Sequence, residues 1–184
     1  MLDLGAGYCH FVNRIRAREK FAVDLHAENL DRHAAPGVRK IVSDGSEIRG
    51  VEASSVDAVF ASNVYEHFRS REDVARSFER VLEILRPGGR LIVLQPNFRY
   101  CARRYFDFFD HRLEFTHLGM IEGLAISGFE IERVTPRFLP YTSKSRLPKA
   151  EWLVRLYLAT PAAWLLLGGQ MLIVARKPRK EGHG

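Results

Sequence analysis

The beginning of the chain carries the pattern that most restricts how it can fold. Residues 1–4 form a short apolar run, a turn containing Gly5 and Gly7 follows, and apolar residues at helical spacing come next. This order predicts a strand, a tight turn and a helix. The next apolar strand, Phe21 to Leu25, contains Asp24 about 20 residues after the glycines, where a nucleotide-binding αβ unit places a carboxylate for ribose hydroxyls.

The glycines also indicate what kind of ligand the turn could hold. Without a Cβ atom, Gly5 and Gly7 let the backbone turn sharply and let a ligand lie against it. The dinucleotide fingerprint has a further glycine where this chain has His10, and a pyrophosphate needs that close approach to a helix N-terminus. The pattern therefore favours a ligand without a pyrophosphate, although an NAD-dependent oxidoreductase remains an alternative.

Short apolar strands alternate with helices along most of the chain. Further strands are predicted over 38–43, 56–62, 90–95, 129–139 and 170–176, and helices over 11–17, 28–33, 72–85, 116–127 and 148–167, the last broken at Pro161. Strands that are apolar throughout are typical of a parallel sheet covered on both faces. The prediction is an α/β fold, Rossmann-like, with a mostly parallel seven-stranded sheet, one domain over 1–178 and a flexible basic tail over 179–184.

Composition limits the partners and the compartment. The 184 residues are 46% hydrophobic and 27% charged, which is ordinary for a soluble globular protein. The net charge of +6 permits an anionic partner, but no arginine-rich helix or aromatic-basic motif indicates nucleic acid. The two cysteines, Cys9 and Cys101, form no CxxC pair, so neither a disulfide framework nor a cysteine zinc site is expected. His111 and His117 could be metal ligands, but no third ligand accompanies them in the pattern, and no metal is predicted. A cytoplasmic location is the simplest prediction.

The stretch 156–175 has no charged side chain and is long enough to be considered as a membrane span. Pro161, Gly168 and Gly169 interrupt it, which favours a buried helix followed by a strand. We therefore predict no transmembrane span, while contact of the helix with a membrane surface, to reach a lipid-linked acceptor, stays open.

Several segments together resemble class I S-adenosylmethionine-dependent methyltransferases. Residues 2–7, Leu-Asp-Leu-Gly-Ala-Gly, are similar to the first motif of that family, with Cys9 at the position of a usual third glycine. Segments 41–44, 62–68, 80–91 and 128–130 are similar to later motifs in the same order. The resemblance covers most of residues 1–135. It implies a fold whose last strand is antiparallel and a cofactor that is S-adenosyl-L-methionine.

The family resemblance also implies which residues hold this cofactor. The implied positions lie at or near strand ends, where open α/β sheets bind ligands. They are Asp3, Gly5, Ala6, Gly7, Asp24, Leu25, Asp44, Gly45 and Asn63. Two of them have alternatives: Asp24 could cap a helix, and Asp44 could form the turn before Gly45. Asp3 is expected to brace the glycine turn, and Cys9 to narrow it.

Methyl transfer from a sulfonium needs no covalent enzyme intermediate, so alignment and exclusion of water are the main tasks. An oxygen acceptor also needs a base, for which His67, Asp110 and His111 are the candidates and Asp110-His111 the first pair to test. Each of these residues could instead be structural. The acceptor is predicted to be a small molecule, a sugar or a lipid-linked saccharide, by similarity to bacterial family members associated with polysaccharides.

Family members usually carry helices before the first strand, and here the strand begins at residue 1. We therefore expect those N-terminal helices to be missing, because the chain is a fragment or its start is set too far downstream. A noncatalytic or truncated domain that binds S-adenosylmethionine remains the main alternative to an active enzyme.

Overall fold

A seven-stranded sheet runs through the computed structural model, which describes residues 1–141 and 150–179. The strands are β1 (Leu2–Leu4), β2 (Lys20–Asp24), β3 (Val38–Val42), β4 (Val56–Ser62), β5 (Leu85–Pro96), β6 (Glu130–Thr135) and β7 (Gln170–Arg176). Their order is β3-β2-β1-β4-β5-β7-β6. Strands β1 to β5 pair in parallel, whereas β7 is antiparallel to both β5 and β6. The predicted Rossmann-like α/β fold with an antiparallel last strand is confirmed.

Helices connect these strands, and the longest is held by a cap and an apolar face. The helices are α1 (His10–Arg14), α2 (Ala27–His33), α3 (Arg71–Ile84), α4 (Phe98–Tyr105), α5 (His117–Ile126), α6 (Glu151–Ala159) and α7 (Pro161–Leu167). Ser70 caps α3, since its side chain accepts a hydrogen bond from the Asp73 amide. Val74, Phe78 and Val81 recur at helical spacing on its buried face.

The start of β5 differs from the prediction. Residues 87–89, Pro-Gly-Gly, were expected to separate the long helix from a strand beginning at 90, yet β5 begins at Leu85. Leu85 pairs with Val56, and the register then shifts before Ala58. A Cβ atom on Gly89 would lie 2.8 Å from the Arg86 carbonyl oxygen, so this irregular stretch requires glycine.

The uncharged stretch 156–175 is divided into helix and strand as expected, but the expectation that the helix is buried is wrong. Neither α6 nor α7 has a buried residue, because apolar side chains such as Leu156 and Leu166 face away from the rest of the protein. It contributes the end of α6, all of α7 and most of β7, and the inward side chains of β7 are Met171, Ile173 and Ala175. Within the described residues, no helix combines the length and the apolar character that crossing a membrane requires. Part of the predicted helix, residues 148 and 149, and nearly all of the predicted tail, 180–184, lie outside the described residues.

Candidate functional site

A cleft opens at the carboxyl ends of the first strands, where the sheet changes direction between β1 and β4. Its volume is about 790 Å³, which suits a ligand of nucleoside size. Seven of the nine predicted binding residues line it: Gly5, Gly7, Asp24, Leu25, Asp44, Gly45 and Asn63. The other two, Asp3 in β1 and Ala6 within the glycine turn, are buried and do not line the cleft.

The two glycines of the turn have different reasons to be glycine. Both have a positive φ angle, +68° at Gly5 and +49° at Gly7. A Cβ atom on Gly5 would lie 2.5 Å from Cγ2 of Val64, whereas one on Gly7 would meet nothing within 4 Å. Gly5 therefore lets the turn pack against the segment after β4, and Gly7 leaves bare backbone beside the cleft.

Asp24 ties the end of β2 to the glycine turn. Its Oδ2 accepts a hydrogen bond from the Gly7 amide at 2.8 Å, and its Oδ1 accepts one from the His26 amide at 2.9 Å. The N-cap of α2 is His26, so Asp24 does not cap that helix. Oδ1 also lies 3.1 Å from Nδ1 of the exposed His26 ring. A carboxylate has about four acceptor positions, so one is unused and a second becomes available to a ligand hydroxyl when that ring turns away.

Asp44 and Asn63 lie at the next strand ends. Asp44 Oδ1 accepts hydrogen bonds from the Ser46 amide and the Ser46 hydroxyl, both at 2.8 Å. This oxygen therefore stabilises the turn around Gly45, as in the alternative given above. Burial raises the pKa of Asp44, but the hydrogen bonds from Ser46 and the positive charges of Arg69 and Arg76 together outweigh it, and the net shift is downward. Asn63 has a φ of +49°, a left-handed conformation that asparagine tolerates better than most residues.

Asp3 and Cys9 support the turn from below. Asp3 Oδ2 accepts a hydrogen bond from the Val12 amide at 3.2 Å. Burial raises the pKa of this carboxyl to about 7, with a smaller contribution from the negative charge of Asp24. Cys9 has a φ of +58°, which explains why family members favour glycine there. Its side chain is buried in the core, so, contrary to the expectation, it does not narrow the turn on the side of the cleft.

The raised pKa of Asp3 predicts a pH-dependent stability for the ligand-free protein. The carboxyl binds its proton more tightly when folded than at its ordinary value of 3.8, so the free energy of unfolding falls as pH rises from about 4 to about 7. Asp3→Asn keeps an acceptor for Val12 and removes this contribution, which is at most about 4 kcal/mol. Urea unfolding of both proteins at several pH values should show their difference growing towards neutrality; a constant difference would contradict it.

The three catalytic candidates meet at one end of the cleft. His67 Nδ1 lies 3.3 Å from Asp110 Oδ2 and 3.2 Å from the Asp110 carbonyl oxygen. The rings of His67 and His111 are 5.1 Å apart and nearly perpendicular. His67 and Asp110 line the cleft, and His111 lies behind them. The carboxylate of Asp110 thus pairs with a distant histidine rather than with its sequence neighbour, which was the pair first singled out.

Sequence reasoning missed three charged residues at this end. Arg69 and Arg112 line the cleft and bring positive charge to it, although no sequence pattern indicated either. Glu66 was noted only as part of a motif, yet its side chain is fully buried. Burial raises the pKa of Glu66 to about 8.

The family comparison agrees with this cleft. The family described as "Methyltransferase domain" matches residues 2–93, which include every strand that borders the cleft. The chain belongs to this methyltransferase domain family, of the class I S-adenosylmethionine-dependent type, and S-adenosylmethionine is the cofactor of that class.

Individual proteins share part of the sequence or the fold of this chain. An uncharacterised methyltransferase of Mycobacterium tuberculosis is 37% identical over 95 residues, which are 50% of this chain and 37% of that protein. The chain thus spans little more than a third of that relative's length. Methyltransferases of Archaeoglobus fulgidus and Mesorhizobium loti share the fold, with TM-scores of 0.72 and 0.68 at 18% and 20% identity. The superposition with the Archaeoglobus protein covers 96% of this chain and 85% of that protein, and the one with the Mesorhizobium protein covers 95% and 89%.

The residues of the cleft fit S-adenosylmethionine. Open space beside the left-handed backbone of Gly7 would accept the ligand without a Cβ in the way. The acceptor positions of Asp24 that the two backbone amides do not use suit the two ribose hydroxyls, one of which would displace the exposed His26 ring. Asp44 lies at the end of the neighbouring strand. The volume and the donor and acceptor pattern of the cleft thus agree with the cofactor of the class.

Proposed function

We propose that this chain is a methyltransferase that moves a methyl group in line from S-adenosylmethionine to a small-molecule, sugar or lipid-linked acceptor. The observation that carries the proposal is the contact between Asp24 and the Gly7 amide, because it places an acid and bare backbone on the same cleft at the switch point of the sheet. Gly5, Asp44, Gly45, Leu25 and Asn63 complete the proposed cofactor site, with Asp3 and Ala6 supporting it from beneath.

Methyl transfer requires that the acceptor atom be aligned with the methyl carbon, and a hydroxyl acceptor also requires a group that receives its proton. When bound, the sulfonium supplies a methyl carbon that an acceptor lone pair attacks, while the carbon–sulfur bond breaks and its electron pair stays on sulfur. If the acceptor atom is a hydroxyl oxygen, its proton must leave. His67, Asp110 and His111 are proposed to receive it, because they meet at one end of the same cleft.

Calorimetry tests the cofactor, and a labelled methyl donor tests the reaction. We expect S-adenosylmethionine and its demethylated product to bind and NADH not to bind; the reverse result would favour an oxidoreductase. Cofactor binding without label transfer to any product of a cell extract would favour a domain that does not transfer methyl groups. The fold by itself does not require methyl transfer, since the [4+2]-cyclase SpnF has the same fold. Its TM-score is 0.66 at 20% identity, and the superposition covers 97% of this chain and 74% of SpnF.

A lipid-linked acceptor is supported by the surface formed by α6 and α7. Large apolar side chains are exposed along both helices: Trp152, Val154, Leu156, Leu158, Leu165, Leu166 and Leu167. Arg137 joins this surface to α4, because it donates a hydrogen bond to the Leu166 carbonyl and lies over the Tyr100 ring. Although no arginine-rich helix was expected from the sequence, α4 presents three exposed arginines and no acid, namely Arg99, Arg103 and Arg104. Apolar and cationic groups side by side suit an anionic lipid surface.

Vesicle flotation tests this part of the proposal. We expect the protein to float with vesicles that contain an anionic phospholipid and much less with neutral ones. Replacing Leu166 and Leu167 by serine should lower the bound fraction several-fold, because it removes apolar area from the contact. Ile126→Ser, which removes an exposed apolar side chain from α5, is the matched control. Equal flotation of the double variant and the control would remove the support for a membrane contact.

A further inference from the structure

The Glu66 carboxylate is buried, and no partner for it lies in the described part of the chain. Its side chain is fully inaccessible, and among the described residues neither Oε1 nor Oε2 has a hydrogen-bond partner. No arginine or lysine of residues 1–141 and 150–179 forms an ion pair with it. A buried carboxylate without compensation is strongly unfavourable, so this position calls for a cation or a proton.

Two histidines adjoin this carboxylate. One potential ligand atom from each of Glu66, His67 and His111 lies within 4.8 Å of the others. The Nδ1 atom of His111 is also buried and has no hydrogen-bond partner in the described structure. Ligand atoms held by one ion at about 2.0–2.2 Å in a tetrahedral site lie about 3.3–3.6 Å apart, so side-chain rotations that shorten the present separations by roughly 1 Å bring these three within bonding distance.

Backbone contacts fix the two segments that carry the cluster. The Glu66 carbonyl oxygen accepts hydrogen bonds from the Arg112 amide at 2.8 Å and the Leu113 amide at 3.1 Å. These bonds hold the segment after α4 against the 3₁₀ turn Tyr65–His67. The three side chains therefore start close to one another before any ion binds.

We propose that Glu66, His67 and His111 form a binding site for a divalent transition-metal ion. Two imidazoles and one carboxylate suit zinc and iron(II), whereas magnesium and calcium prefer sites made only of oxygen. Three protein ligands leave coordination positions open for an exogenous oxygen atom. Asp110 would hold His67 from outside the site, because a carboxylate on a ring nitrogen is a common companion of metal-binding histidines.

A metal ion at this site would define how the acceptor is activated, an extension that rests on the proposed function. His67 lines the cleft, so an ion bound to it would be reachable by an acceptor oxygen entering that end. A divalent cation lowers the pKa of a bound hydroxyl, which favours the deprotonated, more nucleophilic form. The acceptor would then be a group that the ion can bind and deprotonate, an alcohol, a phenol or a thiol, rather than a carbon nucleophile.

Metal binding can be measured without any methyl acceptor. Full-length, tag-free protein freed of metal with a chelator is titrated with Zn²⁺ against a chelating dye, and with Co²⁺ while its visible absorption is recorded. We expect one ion to bind per chain, and we expect the visible absorption bands of Co²⁺ bound by nitrogen and oxygen ligands. Glu66→Gln and His111→Asn should each weaken Zn²⁺ binding by about 100-fold or more, because losing even an outer partner of a metal ligand costs about 10–100-fold. His117→Asn is the control, since His117 lies outside the cluster and contacts Asn97.

Two results would overturn the metal site. One is wild-type protein that binds no stoichiometric Zn²⁺ and shows no rise in Tm when Zn²⁺ is added, a measurement that needs no variant. The other is Glu66→Gln and His117→Asn proteins that bind Zn²⁺ equally. Calorimetry with S-adenosylmethionine on the same samples separates the two proposals: cofactor binding without Zn²⁺ binding rejects only the metal site, and the converse rejects only the cofactor site.

Discussion

Asp24→Ala is expected to weaken S-adenosylmethionine binding by about 100-fold or more. Hydrogen bonds to a charged group are worth about 1.5–3 kcal/mol each, and the variant removes the acceptor proposed for two ribose hydroxyls. It also releases the Gly7 amide, which Asp24 holds at 2.8 Å, so the turn beside the ligand loses its anchor. Isothermal titration calorimetry with the cofactor and with its demethylated product measures both affinities.

The matched control is Asp31→Ala. Asp31 lies on α2 and forms an exposed ion pair with Lys40 at 2.6 Å, so its loss removes the same charge away from the cleft. An exposed pair contributes little to stability, and we expect unchanged affinity. If both variants bind the cofactor as tightly as the wild type while remaining folded, Asp24 does not hold the ligand and the proposed cofactor site is wrong.

Gly5→Ala is expected to lower the free energy of unfolding by about 2–5 kcal/mol. The backbone at Gly5 has a φ of +68°. Alanine in this left-handed conformation costs about 1–2 kcal/mol, and overpacking costs about 1–3 kcal/mol in addition. The overpacking arises because the new methyl group would lie 2.5 Å from Cγ2 of Val64. Urea unfolding followed by circular dichroism gives the difference.

Two further glycine variants distinguish the backbone strain of a positive φ from the collision with Val64 and from the effect on ligand binding. Gly37 has a φ of +86° and nothing within 4 Å of its would-be Cβ. Gly37→Ala therefore has the same kind of backbone strain without a collision, and its loss of stability should be only about 1–2 kcal/mol. Gly7→Ala should cost a similar amount of stability but weaken cofactor binding, because its methyl group enters the open space beside the cleft. Equal stabilities for Gly5→Ala and Gly37→Ala would show that Val64 yields without cost.

Much of the fold could be predicted because its causes are local. The face of α3 follows from Val74, Phe78 and Val81 at helical spacing, and its start from the cap at Ser70. The early onset of β5 could not be predicted in this way. Pro87 and the glycines after it are typical of a turn, and residues 86–89 do bulge out between the pairs Leu85–Val56 and Arg90–Ala58. The strand begins earlier than predicted because Leu85 also pairs with β4, and that pairing depends on a neighbouring strand rather than on the local sequence.

The candidate site likewise has features that the local sequence predicts and features that depend on tertiary contacts. The sequence by itself predicts that the strands have polar ends, with Gly7, Asp24 and Asp44 each at or just after the end of its own strand. Because parallel strands end at one edge of a sheet, these residues must lie close together. The partner of Asp110, the collision that keeps residue 5 a glycine and the burial of Glu66 are relations between distant parts of the chain. His67 and Asp110 are 43 positions apart, and only packing of the segment after α4 against the end of β4 brings them together.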